Sequence, residues 1–305
     1  IVVDDVEEDS NVIDLYTPTD TQLQCLYNLK ATREEGFDRA LVVAATGVGK
    51  TYLSAFDSKE YKKVLFVAHR EEILKQAYKS FRNVRGETST YGYFYGNTKD
   101  KDNDVVFALV QTLGKEEYLN DKYFNKDDFD YIIIDEFHHA TASNYKKIID
   151  YFTPKFLFGI TATPERMDNK DVFAICDYNV AYEIRLKEAI EKDILCPYRY
   201  YGIYDNTVDY ESIDYSRGKY NETQLEKALS KKERADLVYN HYRKFNSKRA
   251  LGFCTSKIHA EYMAEYFAEQ GVKAVAVYSG GKYNRNEAIE KLASGEISVI
   301  FSIDM

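Results

Sequence analysis

The sequence predicts an α/β fold with mainly parallel sheets, built as two consecutive units. Short apolar runs recur between stretches of helical character. A glycine-rich turn follows one of those runs and an acidic turn follows another, at the strand ends where such sheets hold ligands. The same alternation starts again after Pro197.

In chain order, residues 1–17 read as an acidic linker, because residues 1–20 carry seven acids and no Lys or Arg. Thr19-Asp20-Thr21-Gln22 opens a helix with Leu23, Leu26 and Leu29 on or near one face. Apolar runs at 41–44, 64–68, 105–110, 131–134 and 156–160 read as buried parallel strands. These make a first unit over 18–190, with a helix expected from Ile184 to Leu195. The second unit covers 191–305. Its expected strands are 198–204, 250–253, 273–277 and 298–302, and its expected helices are about 222–246, 257–270 and 284–293. Gly271 and Gly295 stand where helix C-caps belong.

Composition narrows the class. Hydrophobic content is 45% and charged content 30%, and no apolar run approaches a membrane span. Cys25, Cys176, Cys196 and Cys254 form no CxxC pair, which argues against a zinc knuckle and for reduced thiols in a cytoplasmic protein. The formal net charge is −9, but without residues 1–20 it is −2. A near-neutral body is compatible with a local basic groove. The chain starts at Ile1 and stops inside a strand-like run, so it is expected to be an excerpt or a processed product.

Two motifs carry chemistry. In Ala44-Ala45-Thr46-Gly47-Val48-Gly49-Lys50-Thr51, small residues let backbone N–H groups point at phosphate oxygens. Lys50 supplies charge to the β/γ-phosphates and Thr51 a hydroxyl to Mg²⁺. In Asp135-Glu136-Phe137-His138, Asp135 ends an apolar strand where its carboxylate can hold Mg²⁺, and Glu136 can polarise an attacking water. Two acids capping a helix would be the plain alternative, but the phosphate loop upstream argues for nucleoside triphosphate hydrolysis. A third stretch, Gly159-Ile160-Thr161-Ala162-Thr163-Pro164-Glu165-Arg166, puts two hydroxyls at a strand-to-turn junction.

In that order the three motifs resemble motifs I, II and III of superfamily 2 helicases of the DExH type. The nearest subgroup is similar to the helicase subunit of type III restriction enzymes. The resemblance covers nearly the whole chain. It implies tandem RecA-like domains, the second incomplete, that use ATP and Mg²⁺ to move along nucleic acid. DNA is the favoured substrate by analogy, against the alternatives of an RNA-directed helicase or an ATP-gated binding module without motor activity. A fused or associated nuclease is implied as well, because members of the subgroup often carry a phospholipase D-like domain.

The resemblance also assigns roles. Val67-Ala68-His69-Arg70 and Val110-Gln111-Thr112-Leu113 look like backbone-contacting motifs, which makes His69, Arg70, Gln111 and Thr112 nucleic-acid candidates. Phe253-Cys254-Thr255-Ser256 looks like motif IV and adds Thr255 and Ser256. Thr161 and Thr163 would couple the domains, and His138 would report the ATP state. Ala45, Thr46, Gly47, Val48 and Gly49 complete the nucleotide loop. Motif VI, with its arginine finger, would lie beyond Met305; such a finger contributes ~10³–10⁵ in kcat. The chain is thus expected to bind nucleotide better than it hydrolyses it. Arg166 is not that finger.

Weaker signals have local explanations. Gln22 matches a glutamine that reads the adenine edge, yet Thr19-x-x-Gln22 is also a capping box. His139 reads as an ordinary helix-start residue. Tyr91, Tyr93, Phe94 and Tyr95 read as strand residues facing a core or a half-buried sheet surface, against the alternative of base stacking, and the same holds for Tyr198, Tyr200, Tyr201 and Tyr204. Lys231-Lys232 and Lys248-Arg249 read as solvated faces.

Overall fold

The computed structural model describes residues 16–165, 171–216 and 218–303. Most of the acidic linker, Arg166 and the last two residues lie outside the described residues. The chain divides into two compact units that meet between Tyr198 and Arg199. The division expected at 190/191 falls at the end of a helix that belongs to the first unit. Ile194 and Leu195, just after that helix, pack on the first unit's core.

In the first unit the chain runs α1 (Asp20–Glu34), β1 (Arg39–Ala44), α2 (Lys50–Asp57), β2 (Val64–Ala68), α3 (Glu71–Arg85) and β3 (Tyr91–Tyr95). It continues through β4 (Thr98–Lys99), β5 (Val105–Leu109), α4 (Val110–Leu113), β6 (Tyr131–Asp135), α5 (Ser143–Tyr151), β7 (Phe156–Thr161), β8 (Val180–Ile184) and α6 (Leu186–Glu191). The strands form one eight-stranded sheet, in the order β4-β3-β5-β2-β6-β7-β1-β8. Every pairing is parallel except the β3–β4 hairpin. The interiors of the central strands are apolar because both faces are covered. One face packs on Cys25, Leu29, Leu53, Phe56, Leu74 and Phe81 from α1, α2 and α3. The other packs on Leu113, Phe124, Tyr145, Ile148 and Phe152. Phe94 is buried in this second layer, and Tyr91 and Tyr93 pack under Tyr78 of α3.

Three local expectations change. In α1 the buried positions are Gln22, Cys25 and Leu29, while Leu23 is exposed. Spacing of three, three drifts around a helix, whereas i, i+3, i+7 stays on one face. The helix expected from Ile184 is a strand up to that residue and then the short α6. Tyr198, Tyr200, Tyr201 and Tyr204 are exposed and lie outside any strand.

The second unit contains the pair β9 (Tyr215–Ser216) and β10 (Lys219–Tyr220), then α7 (Glu222–Leu229), α8 (Lys232–Phe245), β11 (Ala250–Phe253), α9 (Lys257–Glu269), β12 (Ala274–Val277), α10 (Arg285–Ser294) and β13 (Val299–Ser302). The long helix expected over 222–246 is two helices, broken where Lys231 takes an extended backbone. Three parallel strands form a sheet in the order β11-β13-β12. Phe267 of α9 stacks edge-on against Phe301 of β13 in its core. No helix among the described residues is long and apolar enough to cross a membrane.

Candidate nucleotide site and the strand ends around it

The candidate residues of the first unit collect along one edge of its sheet. Across neighbouring parallel strands, Gln111 follows β5, His69 follows β2, Asp135 ends β6, Thr161 ends β7 and the glycine-rich loop follows β1. The β7 strand thus lies between the two candidate motifs, with Ile160 paired to Asp135 on one side and to Val42 on the other.

The loop from Ala45 to Gly49 enters α2 at Lys50. Helix starts leave backbone N–H groups without intrahelical partners, so the first turn of α2 presents donors to an anion. Gly49 is the N-cap in a left-handed conformation, φ 83°. A side chain there would be strained, and its Cβ would fall 2.6 Å from the Gln22 Nε2. That close approach has a purpose: Gln22 Nε2 donates to the Gly49 carbonyl at 3.0 Å. The same carboxamide closes the capping box, its Oε1 accepting from the Thr19 N–H at 2.9 Å. Gln22 therefore ties the start of α1 to the glycine-rich loop. Leu195 is a contact that the sequence did not reveal; it closes on Gly47, where an added Cβ would lie 2.9 Å from its Cδ2.

Lys50 is half-buried and its Nζ donates to the Ala44 carbonyl at 3.2 Å. Burial pulls the ammonium below its ordinary pKa, against the nearby Glu136 and Asp135 carboxylates. Asp135 is 8% exposed. Burial, then the Glu136 charge, push its pKa up to about 6, opposed by the Glu136 backbone N–H and by Lys50. Glu136 itself sits in the left-handed region, φ 50° and ψ 53°. Such a backbone costs of order 1–3 kcal/mol in a residue with a side chain. It turns the chain sharply off β6 into the short 3-10 turn Phe137–His139. Phe137 then packs flat on β7 where Gly159 leaves room; a Cβ at Gly159 would meet the ring at 2.5 Å.

The turn delivers His138 to two partners. Its Nδ1 lies 3.0 Å from Thr161 Oγ1 and 3.2 Å from Glu136 Oε2. The Thr163 N–H donates to the same Thr161 oxygen at 3.3 Å. His139 is not a helix-start residue, since α5 begins only at Ser143. Its ring contacts those of His138 and His69. Gln111 Nε2 donates to the His69 carbonyl at 3.0 Å, so two nucleic-acid candidates are joined directly. Arg70 is exposed beside them as the N-cap of α3. Burial, then His139 and Arg70, lower the His69 pKa.

Thr255 and Ser256 belong to the second unit. The Ser256 hydroxyl caps α9 by accepting from the His259 N–H at 3.1 Å. The Thr255 N–H points at His259 Nδ1, 3.4 Å away. His259 is buried and its pKa is lowered to about 4, chiefly by burial and then by Arg234. A depressed imidazole stabilises the fold above its unfolded pKa near 6.5 and loses that contribution as pH falls through about 4. The second unit should therefore melt earlier as pH falls from 7 to 4.5. In His259→Gln this acid-side slope should shrink, as read from thermal melts at several pH values.

Parallel strands with a glycine-rich loop, an Asp-Glu pair and a threonine hydroxyl at their carboxyl ends match the class of RecA-like α/β domains. Residues 15–166 match the family described as type III restriction enzyme, res subunit. The chain belongs to that family through this domain.

Among curated relatives, the type I restriction enzyme EcoAI endonuclease subunit of Escherichia coli is 30% identical over 81% of this chain and 34% of its own length. IRC3 of Saccharomyces cerevisiae, named for ATP-dependent helicase activity, is 26% identical over 88% of this chain and 41% of its own length. The chain thus spans between a third and a half of these relatives. Two solved structures share the fold. The type ISP restriction-modification enzyme LlaBIII, bound to DNA, aligns with a TM-score of 0.63 at 18% identity, over 94% of this chain and 24% of that one. The Hef helicase domain of Pyrococcus furiosus aligns at 0.56 and 14% identity, over 91% of this chain and 85% of that one.

Proposed function

We propose that this chain is the ATP-hydrolysing core of a nucleic-acid translocase or helicase that acts on DNA. The observation that carries the reading is the shared sheet edge. The phosphate loop, the Asp135-Glu136 pair and the exposed Arg70 and Gln111 all lie at the carboxyl ends of adjoining strands. The restriction-enzyme relatives, and a fold shared with an enzyme seen on DNA, support DNA over RNA.

The donors suit Mg²⁺-ATP. Thr51 and Asp135 offer oxygen ligands, and among the described residues no group of three His, Cys, Asp or Glu could hold a metal by itself. That is the pattern of a cation shared between one or two protein oxygens and phosphates. Mg-ATP, when bound, supplies the scissile phosphoryl group and the metal charge that stabilises its transfer. Lys50 gives up its bond to the Ala44 carbonyl for a phosphate oxygen. Glu136 holds the attacking water and accepts its proton. His138 senses Glu136 on one side and Thr161 on the other. Gln22 keeps the loop in shape, and adenine would use the remaining hydrogen and lone pair of its carboxamide.

Arg70, His69, Gln111 and Thr112 would grip the nucleic-acid backbone, with Thr255 and Ser256 contributing from the second unit. DNA should bind with a steep salt dependence. Arg70→Ala should weaken binding alike for all sequences and lower the salt slope by about one. Titrations of labelled duplexes at several salt concentrations test this. An unchanged slope, or a loss confined to one sequence, would remove Arg70 from the interface. Greater stimulation of ATPase by RNA than by DNA would select the RNA-directed alternative, and nucleotide-dependent binding with no stimulated turnover would select the gated module.

A further inference from the structure

The histidine doublet after the acidic pair gives the hydrolytic residues a physical route to the backbone-gripping strand end. Glu136 Oε2 contacts His138 Nδ1 at 3.2 Å. The His138 and His139 ring centroids are 4.1 Å apart. The edge of one of the His139 and His69 rings meets the face of the other, at 5.3 Å and 69°. The His69 carbonyl is held by Gln111, and Arg70 is its chain neighbour. The carrier strands, β6 and β2, are paired directly. Tyr145 of α5 lies on another side of His139, its ring nearly parallel at 6.4 Å. Among the described residues no group of three His, Cys, Asp or Glu could hold a metal.

Two features make this a switchable contact and not inert packing. His138 Nδ1 can donate to Glu136 or accept from the Thr161 hydroxyl, but its one in-plane position cannot do both. Whatever engages Glu136 therefore changes which partner holds the His138 ring. At the far end, His69 Nδ1 is enclosed with no hydrogen-bond partner. An enclosed and unsatisfied polar atom marks an arrangement that a second state can improve. Close-packed rings between these ends convert a change at one into a displacement at the other.

We infer that His139 is a positioning residue whose ring couples the Glu136–His138 pair to the His69–Arg70 strand end, so that nucleic-acid contact sets the rate of hydrolysis from within the first unit. The inference rests on the motor reading given above. Its test uses His139→Ala, His139→Gln and His139→Phe in the full-length protein. The readouts are Mg-ATP affinity, and steady-state ATPase alone, with plasmid duplex, with poly(dT) and with poly(U).

The ringless variants should keep affinity and unstimulated turnover within about two-fold. They should lose stimulation by a factor within the range of about 2 to 30 found for residues that carry coupling. His139→Phe should restore at least half of the stimulation, because it keeps an aromatic ring in the contact, somewhat larger and without the nitrogens. Gln matches the histidine volume closely enough to keep the fold if Ala does not. Stimulation of Ala and Gln variants equal to the parent would overturn the inference, as would a Phe variant no better than Ala. If no polymer stimulates the parent, the motor reading itself falls, and that outcome is distinct because it appears before any substitution is made.

Discussion

Lys50→Ala is expected to cost most of the Mg-ATP affinity. In the proposed site its ammonium is the cation that meets phosphate, and it is desolvated enough that burial lowers its pKa. Deleting one partner of a partly buried, hydrogen-bonded charge pair costs about 2–5 kcal/mol, which is a fall in affinity of about 30-fold to several thousand-fold. The fold should not change. The side chain makes one internal hydrogen bond, to the Ala44 carbonyl, and alanine is the better helix former at the first position of α2. Lys50→Arg should recover only part of the affinity, because a planar fork does not fit where a point charge folds back over a turn. Titration calorimetry against a thermal melt separates the two effects. Equal affinity in the alanine variant would disprove the site, and a large loss of melting temperature would mean that Lys50 holds the loop and not the ligand.

The parts of this site that could be read from sequence are those where local chemistry leaves one solution. Apolar runs such as Ile132-Ile133-Ile134 could only be strands covered on both faces. The Gly47 and Gly49 spacing could only be a turn that needs positive φ. Edge elements were harder, for a physical reason. Strand β8 is half-exposed, with Tyr182 and Glu183 in a run that continues into helix formers. The alternation signal is weak when one side of a strand has no neighbour. Lys231 breaks α7 from α8 without glycine or proline, so composition does not mark the break. Contacts made over long sequence distances left no local trace. Gln22 has its carboxamide on Gly49, and His139 has its ring on His69. Each sits in a pattern with a sufficient local explanation, a capping box in one case and a helix start in the other, and only the sheet order brings the second partner into reach.

Glu136→Gln is expected to leave Mg-ATP affinity within a few-fold and to lower turnover by about 10²–10⁴, the range for losing a positioned general base. The geometry makes the substitution clean. Glu136 already carries a left-handed backbone that any residue with a side chain must tolerate, so the strain is common to both forms. A carboxamide has the volume and planarity of the carboxylate, and its oxygen still accepts a hydrogen bond from His138, 3.2 Å away in the parent. What it cannot do is take a proton from water. Affinity should survive because Lys50, Thr51, Asp135 and the α2 amides are untouched. Single-turnover hydrolysis in the full-length protein, measured beside nucleotide affinity, checks both. Turnover within a few-fold of the parent would take the base away from Glu136. A matching fall in affinity and turnover would mean that the residue holds the loop or the metal and has no part in activating water.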